Sequence, residues 1–371
     1  MPNCEGKRET AFPRMKIEVY SPTIRRKEMD AVLTAMVEER IGPGDRGRLL
    51  IQTAKEHLRF DYALALRSPA VALHLALKAL DIKTGGVLVS ALSPQYYLQV
   101  IEDLQLTPVL CDVTYDFPCM SREGIEEKIA QTGEGLKVCA IVLHHTLGFV
   151  PDASSISELG IPVIEDISHS YGSWIKKRSS EKDNPQPEAV YPVFHGDFCI
   201  LGLEERDMLT SGGGALLFAM NRRDGTALRN FSGIADEYCL PDINAALAII
   251  QFKEAQRNIE RRIEIAHFYS QACLQTRHKR FISRLESENE ETNKYSFSLV
   301  LETGLKDVIA YAKKKDILLE NAFDKTIAAS SVYDSCPVSN SLVLRTVLFP
   351  MYPRLRSHEV ERISRLIMTL P

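Results

Sequence analysis

The sequence predicts an α/β fold in which a mainly parallel sheet is sandwiched by helices, followed by a smaller C-terminal α+β unit. Three observations carry this. Short apolar runs alternate with helical patterns through the first two-thirds of the chain. Those runs are apolar on both faces, as strands covered by helices on either side require. A long helical stretch then precedes a mixed segment that runs to Pro371.

Taken in order, residues 1–15 read as a flexible tail. Pro22-Thr23 opens a helix whose Met29, Leu33 and Met36 share one stripe. Helix patterns follow at Leu49–His57, Ala70–Leu80, Gln95–Leu104, Glu123–Ala130 and Ala153–Leu159. Strand runs fall at Val87–Ala91, Pro108–Asp112, Val138–His144, Pro162–Asp166, Phe198–Leu203 and Ala215–Met220. Alternation with short connections implies layered helices over a sheet. The polar, Pro-rich stretch Lys176–Pro192 reads as an exposed loop. A helix over Ile243–Leu274 is long enough to bridge two domains, and Tyr295–Leu301, Leu305–Lys315 and Ser357–Met368 supply a strand and two helices beyond it. The expected organisation is a tail at 1–15, a large domain at 16–242, and an interdomain helix with a small domain at 243–371.

Composition narrows the function classes. A net charge of −4 with both signs interspersed implies no basic surface for nucleic acid. No apolar run approaches the roughly 20 residues of a membrane helix, and the first sixteen residues lack the apolar segment of a secretory leader. The eight cysteines are scattered without a C-x-x-C pair, and Cys111 and Cys139 sit inside strand runs. Buried free thiols in a reducing cytoplasm are expected.

Several segments carry a resemblance. YALALRSPAVALHLALKALDI reads as a strand–turn–helix, and VLVSALSPQYYLQVIEDLQLTPVLCDV as the strand–helix–strand after it. IVLHHTLGFVPD places His145 and Gly148 in a His-x-x-Gly. IPVIEDISHSYGS supplies a Glu-Asp block, LPDINAALAIIQFKEAQRNIERRIEIAHFYSQACL the long helix, and VLFPMYPRLRSHEVERI the C-terminal finish. In order and spacing these resemble the DegT/StrS family of pyridoxal-phosphate (PLP) aminotransferases of fold type I that act on nucleotide sugars, from about Lys16 to Pro371. The match is weak over 176–196 and about 275–335.

Aminotransfer by that cofactor needs a lysine amine for the Schiff base and proton movement, and a carboxylate against the ring nitrogen. It also needs a phosphate cup, usually at a helix N-terminus, and a flat side chain on the ring. The resemblance puts Asp166 opposite the ring nitrogen, at the C-terminal end of a strand where active groups of parallel sheets gather; without the resemblance the residue reads first as a turn cap. It puts His169 near the ring hydroxyl, the alternative being a local hydrogen bond in the Ser168–Gly172 turn.

The lysine is absent. Aligning on Gly213-Gly214 sets Arg206 at its position, between Glu205 and Asp207. A guanidinium stays protonated and offers no free amine. The family's Ser-Gly-Thr cup becomes Ser68-Pro69-Ala70, which lacks one N–H and one hydroxyl. Its phosphate serine falls on Leu201 and its stacking aromatic on Pro94, with Tyr96 and Tyr97 nearby. Its Gly-Glu-Gly-Gly becomes Ser211-Gly212-Gly213-Gly214, which reads as a tight turn feeding the next strand. Its Asn and Arg before the long helix fall on Glu237 and Cys239.

His144-His145 is not a metal pair, since neighbours on a strand point to opposite faces. The Arg257–Arg262 cluster reads as a solvated helix face paired with Glu254, Glu260 and Glu264. The resemblance thus implies a relative of the sugar aminotransferases without catalytic activity. Such a chain would bind PLP, its amine form pyridoxamine phosphate (PMP), or neither. It would form a homodimer, or a heterodimer with an active relative, and could take a nucleotide sugar. Two alternatives stand beside this: a lysine-independent enzyme using PMP, and a conventional transaminase with a lysine reaching in from elsewhere.

Overall fold

The computed structural model describes residues 16–133, 135–176, 190–192, 195–282, 290–302 and 304–371. The tail expected at 1–15 and most of the polar loop lie outside the described residues.

The chain opens with α1 (Arg26–Val37) and α2 (Asp45–His57), then β1 (Tyr62–Leu66), α3 (Pro69–Ala79), β2 (Gly86–Ser90), α4 (Tyr96–Asp103) and β3 (Thr107–Cys111). Next come α5 (Arg122–Thr132), β4 (Val138–His144), α6 (Ala153–Ser157), β5 (Val163–Asp166), β6 (Trp174–Lys176) and β7 (Val190–Pro192). They are followed by β8 (Phe198–Gly202), β9 (Ala215–Ala219), α7 (Arg222–Arg229) and the long α8 (Asp242–Cys273). The chain ends with β10 (Glu290–Glu291), β11 (Phe297–Val300), α9 (Leu305–Lys313), β12 (Glu320–Asn321), α10 (Ile327–Ser330), α11 (Pro337–Arg345), β13 (Thr346–Phe349) and α12 (Ser357–Met368).

Seven strands form one sheet in the order β1-β9-β8-β5-β4-β2-β3. The pairs from β8 through β5, β4 and β2 to β3 are parallel, while β9 runs antiparallel to both neighbours. Every residue of β2, β5, β8 and β9 is buried, as the two-sided apolar runs foretold. On one face α3, α4 and α7 cover the sheet through Leu73, Leu77, Tyr97, Ile101 and Leu228. On the other, α2 and the first half of α8 pack Leu50, Ala245, Ile249 and Phe252 over Leu201 and Phe218, beside a patch under α5 and α6.

A second, three-stranded sheet runs β11-β13-β12. It shares an apolar core with α9, α12, Ile17 and the second half of α8, through Ile265, Tyr269, Leu299, Val308, Val347 and Ile363. One unbroken helix thus serves two cores.

The strand and helix expectations hold to within a few residues at most ends, with two departures. α1 starts at Arg26, three residues after Thr23, because the Arg25 N–H is capped by Glu28 Oε2 at 3.0 Å. Its stripe of Met29, Leu33 and Met36 is exposed, and the face turned to α8 carries Ala35 and the buried Glu28, which accepts from Gln251.

Candidate functional site at the C-terminal edge of the large sheet

The C-terminal ends of β2, β4, β5 and β8 converge on Asp166, the last residue of β5 and 2% exposed. Its two oxygens are engaged from different elements. Oδ1 accepts the Ser168 N–H at 3.0 Å and the Ser168 hydroxyl. Ser168 Oγ also accepts the Gly202 N–H at 2.8 Å, tying the ends of β5 and β8 together. Oδ2 accepts the Tyr97 hydroxyl at 2.5 Å. Tyr97 lies in the first turn of α4 and is wholly buried.

His144, the last residue of β4, places Nδ1 3.6 Å from Oδ2. That is longer than an ordinary hydrogen bond. Burial alone would raise the Asp166 pKa, but His144, Ser168 and Tyr97 together outweigh it and hold the carboxyl well below the ordinary carboxylate range. Burial and the adjacent Asp166 charge push the Tyr97 phenol far above its usual range, so it remains a donor.

His145, the first residue after β4, meets a different set of partners. Its ring nitrogens meet Ser170 Oγ at 2.6 Å and Glu165 Oε2 at 3.1 Å. Glu165 Oε1 in turn accepts the N–H groups of His195 and Gly196. This is a closed structural network under the site. Among the described residues no three His, Cys, Asp or Glu side chains are grouped to hold a metal ion.

His169 stacks flat on Tyr295, ring centres 4.1 Å apart at 10°, and meets His144 edge-on at 5.1 Å. Gly148, with φ +86°, permits this: a Cβ there would lie 2.7 Å from Tyr295 Cβ. The Nε2 of His169 is 3.8 Å from Asp207 Oδ1. Burial, reinforced by His144, lowers His169 to about 3, and burial raises Asp207 to about 8. Both are therefore neutral near pH 7, and the contact between them is not an ion pair.

Arg206 does not turn toward Asp166. Its guanidinium makes a two-pronged pair with Glu320 of β12, at 2.6 and 3.3 Å. Its side chain is 43% exposed and lies over the Tyr20 ring. The Tyr295 hydroxyl donates to the Arg206 carbonyl at 2.9 Å. The residue thus fastens the β8–β9 loop to the C-terminal sheet.

The start of α3 is committed to its own helix. Ser68 Oγ caps the Val71 N–H at 3.3 Å, Pro69 occupies the first helical position, and Ala70 adds no polar group. Leu201 points into the apolar core beneath α2 and α8. Pro94 bridges to Thr326, and Tyr97 presents its hydroxyl, not its face, to the site. Ser211–Gly214 is a turn into β9, with Gly212, Gly213 and Gly214 all at positive φ; a Cβ on Gly214 would collide with the Leu240 side chain.

One expectation fails within the Arg257–Arg262 cluster. Arg257 and Arg261 pair with Glu254 and Glu264, but Arg262 is 5% exposed. It donates to the carbonyls of Tyr295 and Met351 at 2.8 and 2.6 Å. Burial lowers it to about 10, so it stays charged at neutral pH. No helix periodicity signals this, because the partners are backbone atoms of the C-terminal unit.

The donor set therefore keeps one requirement of a pyridoxal-type cofactor, the buried ionised carboxylate, and departs at the others. The phosphate end offers a proline, an alanine and a buried leucine. Both oxygens of the carboxylate are already engaged, one of them by a phenol. Residue 206 brings a guanidinium that pairs elsewhere. The residues present do not fit the group.

Residues 22–182 and 217–368 match the model of the DegT/DnrJ/EryC1/StrS aminotransferase family. The stretch between the two matched segments contains Arg206 and the Ser211–Gly214 turn. GDP-perosamine synthase of Escherichia coli O157:H7 is 25% identical over 378 residues, covering 93% of this chain and 95% of that protein. A DegT DnrJ EryC1 StrS aminotransferase from Brucella abortus superposes with a TM-score of 0.79 at 22% identity, over 92% of this chain and 94% of the other. Spr1654 from Streptococcus pneumoniae, in its PMP form, gives 0.80 at 18% identity over 95% and 97%. The chain belongs to the DegT/DnrJ/EryC1/StrS aminotransferase family.

Proposed function

We propose that this chain keeps the scaffold of a nucleotide-sugar aminotransferase without the transamination chemistry, and acts by binding a sugar nucleotide or by pairing with another copy or an active relative. The observation that carries this reading is Arg206: a side chain that cannot form an imine stands where the family's lysine aligns, and it is spent on Glu320. The exposed apolar stripe of α1, with Met29, Leu33, Met36 and Val37, supports pairing through that helix. The expected organisation into a large domain at 16–242 and a helix plus small domain at 243–371 belongs to the same reading, with α8 as the hinge between the two cores.

Titration of the purified protein with pyridoxal phosphate tests it. The expected result is no visible absorbance band and no adduct that borohydride fixes to the chain. A fixed adduct formed at one equivalent of pyridoxal phosphate, located by peptide mass spectrometry on a single lysine and lost in Asp166→Asn, overturns it and points to a relocated amine.

A second reading, lysine-independent use of PMP, draws on a different observation. Ser93 Oγ, His144 Nδ1 and His169 Nδ1 are buried without hydrogen-bond partners among the described residues, and the two histidines lie beside Asp166. Orphaned polar atoms of this kind are costly unless a ligand satisfies them. Stoichiometric PMP in the protein as isolated would favour this reading over the first.

A further inference from the structure

We infer that Tyr97 is an internal stopper: its hydroxyl takes the oxygen of Asp166 that a protonated ring nitrogen would need, and its ring fills the adjoining space, so that a pyridine-type ligand is shut out by the protein's own side chain. This rests on the reading that the chain works without the cofactor and adds a cause independent of Arg206.

The geometry is that of a built contact. Tyr97 has no exposed surface, and its hydroxyl lies 2.5 Å from Asp166 Oδ2. Its ring is wedged edge-on between Tyr96, at 5.0 Å and 73°, and His144, at 6.1 Å and 81°. The turn that carries it is clamped by the C-terminal unit. Ile327 N–H donates to the Ser93 carbonyl, Ala328 N–H to the Ala91 carbonyl, and Gln95 N–H to the Lys325 carbonyl, at 3.0, 2.8 and 3.3 Å. Tyr97 N–H closes the turn on the Pro94 carbonyl at 3.1 Å. The backbone that carries the stopper is therefore held against the 325–328 segment. Ser93 Oγ, His144 Nδ1 and His169 Nδ1 are buried without hydrogen-bond partners among the described residues, and the His144 ring lies beside Tyr97. Remove the ring, and a buried ionised carboxylate faces a vacant polar space, which suits a planar protonated pyridine.

Calorimetric titration with pyridoxamine phosphate tests this, using wild type, Tyr97→Phe, Tyr97→Ala and Tyr97→Ala/Asp166→Asn. Wild type and Tyr97→Phe, which both keep the ring, are expected not to bind. Tyr97→Ala is expected to bind at least about tenfold more tightly than wild type, and the double variant to lose that gain. Tyr97→Val serves if the alanine protein does not fold, folding being checked by circular dichroism. Binding to wild type as tight as to Tyr97→Ala overturns the stopper. So does a folded Tyr97→Ala that takes no ligand, because the barrier then lies at the phosphate end. Neither outcome produces a borohydride-fixed adduct, so failure of the stopper is distinguishable from failure of the proposed function.

Discussion

Two points on the same edge of the large sheet have met opposite fates. At the end of β5, Asp166 is buried and held by groups from three elements, Tyr97, Ser168 and His144. In the loop after the neighbouring strand β8, Arg206 is 43% exposed and makes one pair with Glu320. The difference teaches which positions on this edge are constrained by packing. A buried carboxylate that anchors several donors is costly to remove whether or not it serves chemistry, because each donor would be left unpaired. A partly exposed loop position is under no such constraint, since surface pairs contribute little. Retention of Asp166 is therefore no sign of catalysis by itself.

That contrast can be broken by substitution, starting with the largest effect. Asp166→Ala should destabilise the fold by about 3–5 kcal/mol, since it strands the Tyr97 hydroxyl and Ser168 inside a core. Chemical denaturation measures it, and a loss below about 1 kcal/mol would show that the site tolerates an empty β5 end. The next effect is in pH. Asp207 has its pKa raised from 3.8 to about 8, so the folded state holds a proton that the unfolded chain releases, and stability falls as pH rises between those values. His169 is lowered from 6.5 to about 3, so stability rises with pH across that window. The two slopes oppose each other from about pH 4 to 6.5. From 6.5 to about 8 only Asp207 acts, and stability should fall by on the order of 1 kcal/mol per pH unit. Asp207→Asn should flatten that limb in a series of melting curves; an unchanged slope would exclude Asp207 as its source. The smallest effect belongs to Arg206→Lys. It should change stability by less than about 1 kcal/mol, and it should not create an imine with pyridoxal phosphate, because the new amine inherits the Glu320 pairing and Tyr97 still fills the site. A borohydride-fixed adduct on the introduced amine would show that the loop alone blocks the chemistry.

Much of this molecule was written along the chain. The strand runs, Asp166 at a strand end and the glycine turn before β9 follow from local patterns with period two or from residues that tolerate positive φ. The expectation that Arg206 sits at the family's lysine position likewise rests on alignment of the sequence alone.

What the chain could not announce is who meets whom. Arg206 pairs with a glutamate 114 positions later, and Arg262 is buried because two carbonyls of the C-terminal unit reach it. The Met29 stripe faces outward because Glu28 and Ala35 pack on α8 instead. Tyr97 read as a nearby aromatic, yet its hydroxyl is the partner of Asp166 across 69 residues. Periodicity records which face of an element is apolar. The partner of a polar group depends on how distant elements are brought within about 3 Å, and only the tertiary structure decides that.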